Sequence, residues 1–386
     1  VNFIRVDYAL ARNWNGWAIG DWLLNYENGF IRRGLMGEAI IGINQYLNAP
    51  INLLIFATQC IVFLLFLITF VWLLRNKFIC FWYVVACLEP GFILFNYYDG
   101  MSVGRKEILL YLIFGIWCLV LQKNKPSNLI VIIFSICIFA LTLSHELIIF
   151  FIPYFIMAYA LSYSDGAKLY KNNTIFIAMS SFFAVGLLIL FGNSISENLM
   201  CDNFLKLGAQ ESICKGIISY GTDKSLETLW LHISRIGLEN IILSIMLVPV
   251  AVFPFYLTLR SVQPIALQSK GISITIIFLS IFTAPLFLLS IDWGRWISIH
   301  VTLCLILLGQ HLPLKSASCR MRPRESVSFI FDDGTYKSNI LVASVIVGSL
   351  LIFNLSYSLN HCCISNLVNP FGPIKKLITT ISAKAL

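Results

Sequence analysis

Two adjacent arginines, Arg32 and Arg33, stand in NYENGFIRRGLMGE (residues 25–38), with Glu27 before them and Glu38 after. A guanidinium pair beside apolar sequence is costly unless it faces water or holds an anion. Its planar fork suits phosphate oxygens. The pair reads either as an anion clamp or as an interfacial anchor reaching for lipid headgroups. A second basic pair, Arg105-Lys106, shares a polar turn with Asp99, and Gly100 and Gly104 there allow close backbone approach. That turn is a second anion-binding candidate, or an ordinary helix end with interfacial bases. Ser144-His145-Glu146 interrupts a long apolar run. Ionisable residues at such a place are functional by default, and either His145 or Glu146 is a candidate general base. Asp292 and Arg295 sit three apart between two apolar runs, each followed by a tryptophan, Trp293 and Trp296. They supply a carboxylate, a phosphate contact and aromatic faces for sugar rings, or else a local ion pair between tryptophan anchors.

The elements that must carry these residues are membrane helices. The chain has 386 residues, a mean hydropathy of +0.83, 58% hydrophobic residues and 12% charged ones. Soluble domains run at roughly 25% charged, so composition predicts an all-α, polytopic transmembrane bundle. Apolar runs at 51–74, 78–95, 107–121, 129–143, 147–163, 174–191, 238–259, 272–291, 297–310 and 339–355 give about ten visible spans. Glu89-Pro90 is expected to kink the second of them. Residues 1–386 read as a single integral membrane domain with a 1–50 outer segment, a large outer loop at 192–235 and a basic cytoplasmic loop at 311–338. No internal repeat or heptad is present.

Charge fixes the orientation. With the Arg75/Lys77 loop inside, the inner connections hold thirteen of the 27 lysines and arginines against four acids. Each inner connection carries at least two bases, which is a strong positive-inside signal. It accounts for the net charge of +8 without nucleic acid. The same alternation sends Arg32, Arg33, Asp99, Arg105, Lys106, His145, Glu146, Asp292 and Arg295 to the outer face. It also puts the charged N-terminal segment outside, so an additional hydrophobic span is expected upstream of Val1. Most cysteines are scattered singly in apolar runs, where they are small core residues. Cys201 and Cys214 bracket DNFLKLGAQESI in the outer loop and are disulfide candidates in an oxidising compartment. No spacing indicates a metal site, and no loop indicates a nucleotide or other cofactor.

The ionisable residues cluster at span ends. A transporter would more readily hold them at mid-span. This favours surface chemistry on a lipid-linked substrate.

With its many spans, the arginine-bearing YENGFIRRGLMG segment before the first visible span, basic outer loops and a large outer loop in the second half, the chain resembles the bacterial O-antigen polymerases. More broadly it resembles multi-span glycosyltransferases of the GT-C type. The resemblance is one of architecture and extends over most of the chain. It implies an enzyme of the bacterial inner membrane that joins oligosaccharide units carried on undecaprenyl pyrophosphate at the periplasmic face. A chain-length regulator protein and membrane lipid would be its partners. Transfer would be inverting or retaining, with Arg32, Arg33, Asp99, Arg105, Lys106 and Arg295 binding pyrophosphate or sugar. His145, Glu146 and Asp292 would be the catalytic candidates. The resemblance also implies an acid in the first outer loop, for which Asp7, Asp21 and Glu27 are equal candidates. The loop at 192–235 departs from an arginine-rich pattern, offering Lys206, Lys215, Lys224 and Arg235. A GT-C transferase using a polyprenyl-phosphate sugar donor, a polysaccharide flippase and a membrane scaffold are the alternatives.

Overall fold

The computed structural model describes residues 8, 11–92, 95, 99, 102–123, 126–163, 167–192, 196–214, 216–217, 256–259, 269–289, 292–314, 348, 357–359 and 368–370. In chain order the helices are α1 (Gly20–Leu23), α2 (Gly34–Leu47), α3 (Ile51–Leu74), α4 (Phe81–Cys87), α5 (Glu107–Lys123) and α6 (Asn128–Ser144). They continue with α7 (Ile152–Ser162), α8 (Ala167–Phe191), α9 (Glu197–Lys206), α10 (Ser269–Thr283), α11 (Leu286–Leu289) and α12 (Trp293–His311). A short antiparallel pair, β1 (Tyr357–Leu359) and β2 (Val368–Pro370), aligns Tyr357 with Pro370.

Among the described residues two helices are long and apolar enough to cross a membrane, at Ile51–Leu74 and Asn172–Phe191. At 1.5 Å per residue, the 24 residues of α3 extend about 36 Å, against a hydrocarbon core of about 30 Å. Ile61, Leu64, Ile68, Val71 and Trp72 point outward from it. The apolar helices Asn128–Ser144, Glu146–Ser162 and Gly271–Thr283 are shorter. Most of the runs 238–259 and 339–355 lies outside the described residues, as does the basic loop beyond Leu314.

The chain forms two compact units. The first comprises Val1–Leu73, Gly100–Leu231 and Thr275–Ser290. Its helical layer is α6 packed on α8, with α7 against α8 and α5, and α2 against α6. The contacts follow from side-chain size and polarity. Gly115 of α5 lets Thr69 of α3 approach, where an added Cβ would lie 3.0 Å from the threonine methyl. Thr142 of α6 and Ser181 of α8 share a hydrogen bond of 2.9 Å, while Trp117 Nε1 donates to the Phe155 carbonyl. Ser127 caps α6 by accepting from the Ile130 amide. The run 129–163 breaks at His145, whose backbone is extended (φ −161°) before a 3-10 turn, Glu146–Phe151, leads into α7.

The second unit comprises Leu74–Asp99, His232–Ile274 and Ile291–Leu386. Here the expected kinked span at 78–95 is instead a seven-residue helix, α4, that stops at Cys87. Pro90 lacks an amide hydrogen and disfavours helix at the residue before it, so Leu88–Phe92 turns away. Tyr83 Oη donates to the Leu305 carbonyl across to α12. Lys77 Nζ donates to the Gln310 carbonyl at 2.6 Å.

Candidate functional site

α1 is one turn that carries Asp21, and α2 begins directly after Arg33. The two helices lie close because two glycines permit it. A Cβ on Gly37 would run into the Leu24 carbonyl, and one on Gly34 would run into the Tyr26 ring. Between them the YENGF loop is shaped by Asn25, whose Oδ1 accepts from the Glu27 amide, and by Glu38, which accepts from the Tyr26 amide. Arg33 itself has φ 66°, the left-handed region that non-glycine residues rarely adopt. Such a conformation costs roughly 1–3 kcal/mol and persists only when surrounding contacts hold it.

Glu146 and Lys106 supply those contacts. Arg33 Nε donates to both oxygens of Glu146, at 2.9 Å and 3.1 Å, and Nη2 donates to Oε1 at 2.8 Å. Lys106 Nζ donates to the Arg33 carbonyl at 2.9 Å and the Ser144 carbonyl at 3.3 Å. Lys106 is placed by Gly104, whose carbonyl accepts from Trp22 Nε1 at 2.6 Å and Gln59 Nε2 at 2.8 Å. Glu107 opens α5, where a negative charge suits the helix dipole, and its Oε1 lies 3.2 Å from His145 Nε2.

Asp21 lies at the bottom. Its Oδ1 is 3.7 Å from Arg33 Nη1 and 3.9 Å from Lys106 Nζ, too far for hydrogen bonds. Neither oxygen accepts a hydrogen bond from any described residue, although the side chain is fully buried. An ionised carboxylate in that condition is expensive and is poised to accept donors. The cluster opens outward in a definite order. Side-chain exposure is 52% at Arg32, 20% at Glu146, 11% at Arg33, 1% at Asp21 and 0% at Lys106.

The charges set one another. Burial raises the Glu146 carboxyl, but Arg33, by charge and hydrogen bond, with His145 and Arg32, brings it below the usual carboxylate range. Burial likewise opposes ionisation of Asp21, and Lys106, Arg33, His145 and Arg105 overcome it, so its pKa is lowered. Burial pushes the Lys106 ammonium down to about 8, with Asp21 opposing. Burial and the Arg33 charge lower His145 below its ordinary value, leaving a neutral imidazole near pH 7. Because a carboxylate only accepts, Nε2 carries the proton toward Glu107 and Nδ1 carries the lone pair.

A pH dependence follows. The two depressed carboxylates contribute stability that is present above their unfolded values of about 4 and is lost as pH falls below them. Lys106 is also depressed, so between about pH 8 and its unfolded value of about 10.4 the unfolded chain holds more proton and stability rises with pH. Thermal melting in detergent should therefore drop below about pH 4 and gain again above about pH 8. Lys106→Met should lose the alkaline gain; a melting curve flat on both sides would show that these groups do not govern the fold.

The structure brings Arg32, Arg33, Lys106, His145 and Glu146 together within the first unit, with Arg105 alongside, its guanidinium 5.7 Å above the Trp17 ring. Asp99, Asp292 and Arg295 belong to the second unit. There Arg295 Nη1 bonds Asp292 Oδ2 at 2.8 Å, and its guanidinium lies 4.8 Å from the Trp296 ring. Asp292 stands just ahead of α12, so the DWGRW turn is the start of that helix. Cys201 and Cys214 are disulfide-bonded, with Cα atoms 5.3 Å apart. Of the three acids that the sequence left equal, Asp21 lies in this cluster and Glu27 in the YENGF loop, while Asp7 lies outside the described residues. Glu107 was missed; its signal was an acid directly after two bases at the head of an apolar run. Among the described residues no group of three or more His, Cys, Asp and Glu side chains is arranged to hold a metal.

Set against known proteins, the chain matches no family model, and no curated sequence or solved structure matches it.

Proposed function

We propose that the chain is a multi-pass glycosyltransferase of the bacterial inner membrane, with about ten spans in a GT-C-like arrangement. Its reaction is the joining of undecaprenyl-pyrophosphate-linked oligosaccharide units at the periplasmic face, as in the O-antigen polymerases. The observation that carries this reading is the Asp21 carboxylate: buried, without a hydrogen bond from any described residue, and ringed by arginine and lysine. Two further observations support it. The positive-inside charge pattern orients the cluster outward. The Cys201–Cys214 disulfide in the same unit fits an oxidising compartment.

In this reading Arg32, the exposed cation, meets the donor pyrophosphate. Arg33 is held at a fixed angle by Glu146 and adds fixed positive charge behind it. Both act on charge that develops as the leaving group departs, where preorganised donors have the greatest effect. The acceptor hydroxyl oxygen attacks the anomeric carbon, the bond to the pyrophosphate oxygen breaks, and the hydroxyl proton passes to an Asp21 oxygen. Glu146 is a poor proton acceptor here, because both of its oxygens are taken by Arg33. Lys106 acts inside the site, holding the Arg33 carbonyl and facing Asp21.

A second reading is transfer of single sugars from a polyprenyl-phosphate donor. It is favoured by the exposure pattern, since among Arg32, Arg33, Arg105 and Lys106 only Arg32 is well exposed, and one phosphate asks for fewer contacts than two. Both readings are tested by expression in a cell that makes lipid-linked repeat units but cannot polymerise them. Polymerase activity predicts a ladder of long surface polysaccharide; addition of a single residue without a ladder selects the second reading; neither product overturns both. Reporters fused at Lys125, Lys168 and Arg322 should read cytoplasmic, and one at Asp223 external. The reverse pattern would move the cluster to the wrong face for either substrate.

A further inference from the structure

The segment 11–24 and the disulfide-bonded segment 196–217 share one apolar core. Trp14, Ile19, Trp22, Leu23 and Leu24 come from the first, and Met200, Phe204, Ala209 and Ile213 from the second. Their backbones are also joined. Gly16 and Gly216 form a parallel bridge, and the Ile217 amide donates to the Gly16 carbonyl at 3.4 Å. The approach requires glycine, since a Cβ on Gly216 would lie 2.5 Å from the Gly16 carbonyl carbon. Ser212 Oγ reaches the Asn13 and Trp14 carbonyls at 3.2 Å and 3.4 Å. Most directly, Ile213 and Ile217 sit over Gly20: a Cβ on Gly20 would meet Ile217 Cγ2 at 3.5 Å, Ile213 Cγ1 at 3.6 Å and the Ile213 carbonyl at 3.7 Å. Ile213 adjoins Cys214, and Gly20 adjoins Asp21.

α1 cannot position Asp21 by itself. It is four residues long, with no side-chain cap, and an isolated turn of helix is unstable in water. It is held between α2 on one side and the disulfide-bonded segment on the other. That segment is itself small: α9 and one 3-10 turn, Glu211–Cys214, closed by the bond from Cys201.

We propose that the Cys201–Cys214 disulfide is a clasp that positions Asp21, so that the charged site is complete only while this bond is oxidised. Opening the clasp needs a dithiol. A thiolate attacks one sulfur, the S–S bond breaks, and the resulting mixed disulfide is resolved by the second thiol. The two cysteines leave with two electrons and two protons, and the reagent leaves as a cyclic disulfide. Ile213 then loses the tether that keeps it on Gly20. Ile213 is a positioning residue, acting on Asp21 through Gly20. The inference stands on packing and does not depend on which sugar chemistry the site performs.

The test is hydrogen exchange of the full chain in detergent or nanodiscs, with and without dithiothreitol. Closing a loop of this size stabilises by about 3 kcal/mol, which corresponds to roughly a hundredfold in local opening. Amides in 16–24 and 197–214 should therefore exchange about a hundredfold faster after reduction, while α6 and α8 keep their rates. Cys201→Ser with Cys214→Ser should reproduce the effect without reductant. Ile213→Ala, which leaves the disulfide intact, should speed exchange in 16–24 while 197–214 stays protected, and Ile213→Val should restore protection. Unchanged exchange in 16–24 after reduction would overturn the clasp. So would a uniform rise across α6 and α8, which would mean that the bond supports the whole unit rather than this turn.

Discussion

Arg33→Ala is expected to destabilise the first unit by about 3–5 kcal/mol, the range for removing one partner of a buried ion pair. The sequence alone offered Arg33 as part of an anion clamp or as an interfacial anchor. The geometry gives it a second role. Its guanidinium makes three hydrogen bonds to Glu146, and without it the ion-pair partner left to Glu146 among the described residues is Arg32, whose Nη1 is 3.9 Å away on a half-exposed side chain. Asp21 also loses one of its two cations. The discriminating measurement is a double-mutant cycle on unfolding in detergent. Arg33→Ala with Glu146→Ala should be markedly more stable than Arg33→Ala alone, because no carboxylate is then stranded. If the double variant is no better than the sum of the singles, the pair is not what holds the turn.

Asp21→Asn should lose activity on the order of 10²–10⁴-fold, with a melting temperature lowered no further than acidification lowers that of the parent chain. The amide has the shape of the carboxylate. No hydrogen bond is broken, because Asp21 accepts none from the described residues. What disappears is the proton acceptor and one buried negative charge. Polysaccharide chain length at matched protein level is the readout, with the melting temperature alongside. Full-length product from Asp21→Asn would remove Asp21 from the chemistry, and the proposed proton transfer with it. A collapse in melting temperature would make Asp21 a structural counter-ion instead.

Much of the site was legible in the sequence because charge is scarce in it. With 12% charged residues, an Arg-Arg pair, a Lys after Arg105 and a His-Glu step inside an apolar run stand out, and these converge. The break at His145 was legible for the same reason. Depth was not legible. Lys106 and Arg33 look alike as cations in sequence, yet the Lys106 side chain is fully enclosed and holds two backbone carbonyls, whereas Arg33 is 11% exposed and paired with Glu146. Choosing Asp21 over Glu27 required knowing that one turn of helix tucks beneath Gly34 and Gly37. Asp292 and Arg295 satisfy each other locally, which spacing alone left as open as a substrate contact. Apolar runs also fixed helix content better than helix length. Glu89-Pro90 ends a helix that hydropathy would have carried on, and the run after His145 spends its first turn as 3-10.

Position 33 answers to two requirements that no single side chain meets. Its left-handed backbone suits glycine, while its three bonds to Glu146 need a planar fork. Glycine would relax the turn and abandon Glu146. Lysine would keep the charge but replace the fork with a single point contact. Arginine is thus retained in a conformation it disfavours, and that strain fixes the direction of the fork before any ligand arrives. Substitutions chosen only to relax the backbone there would give a calmer turn and an unguided charge.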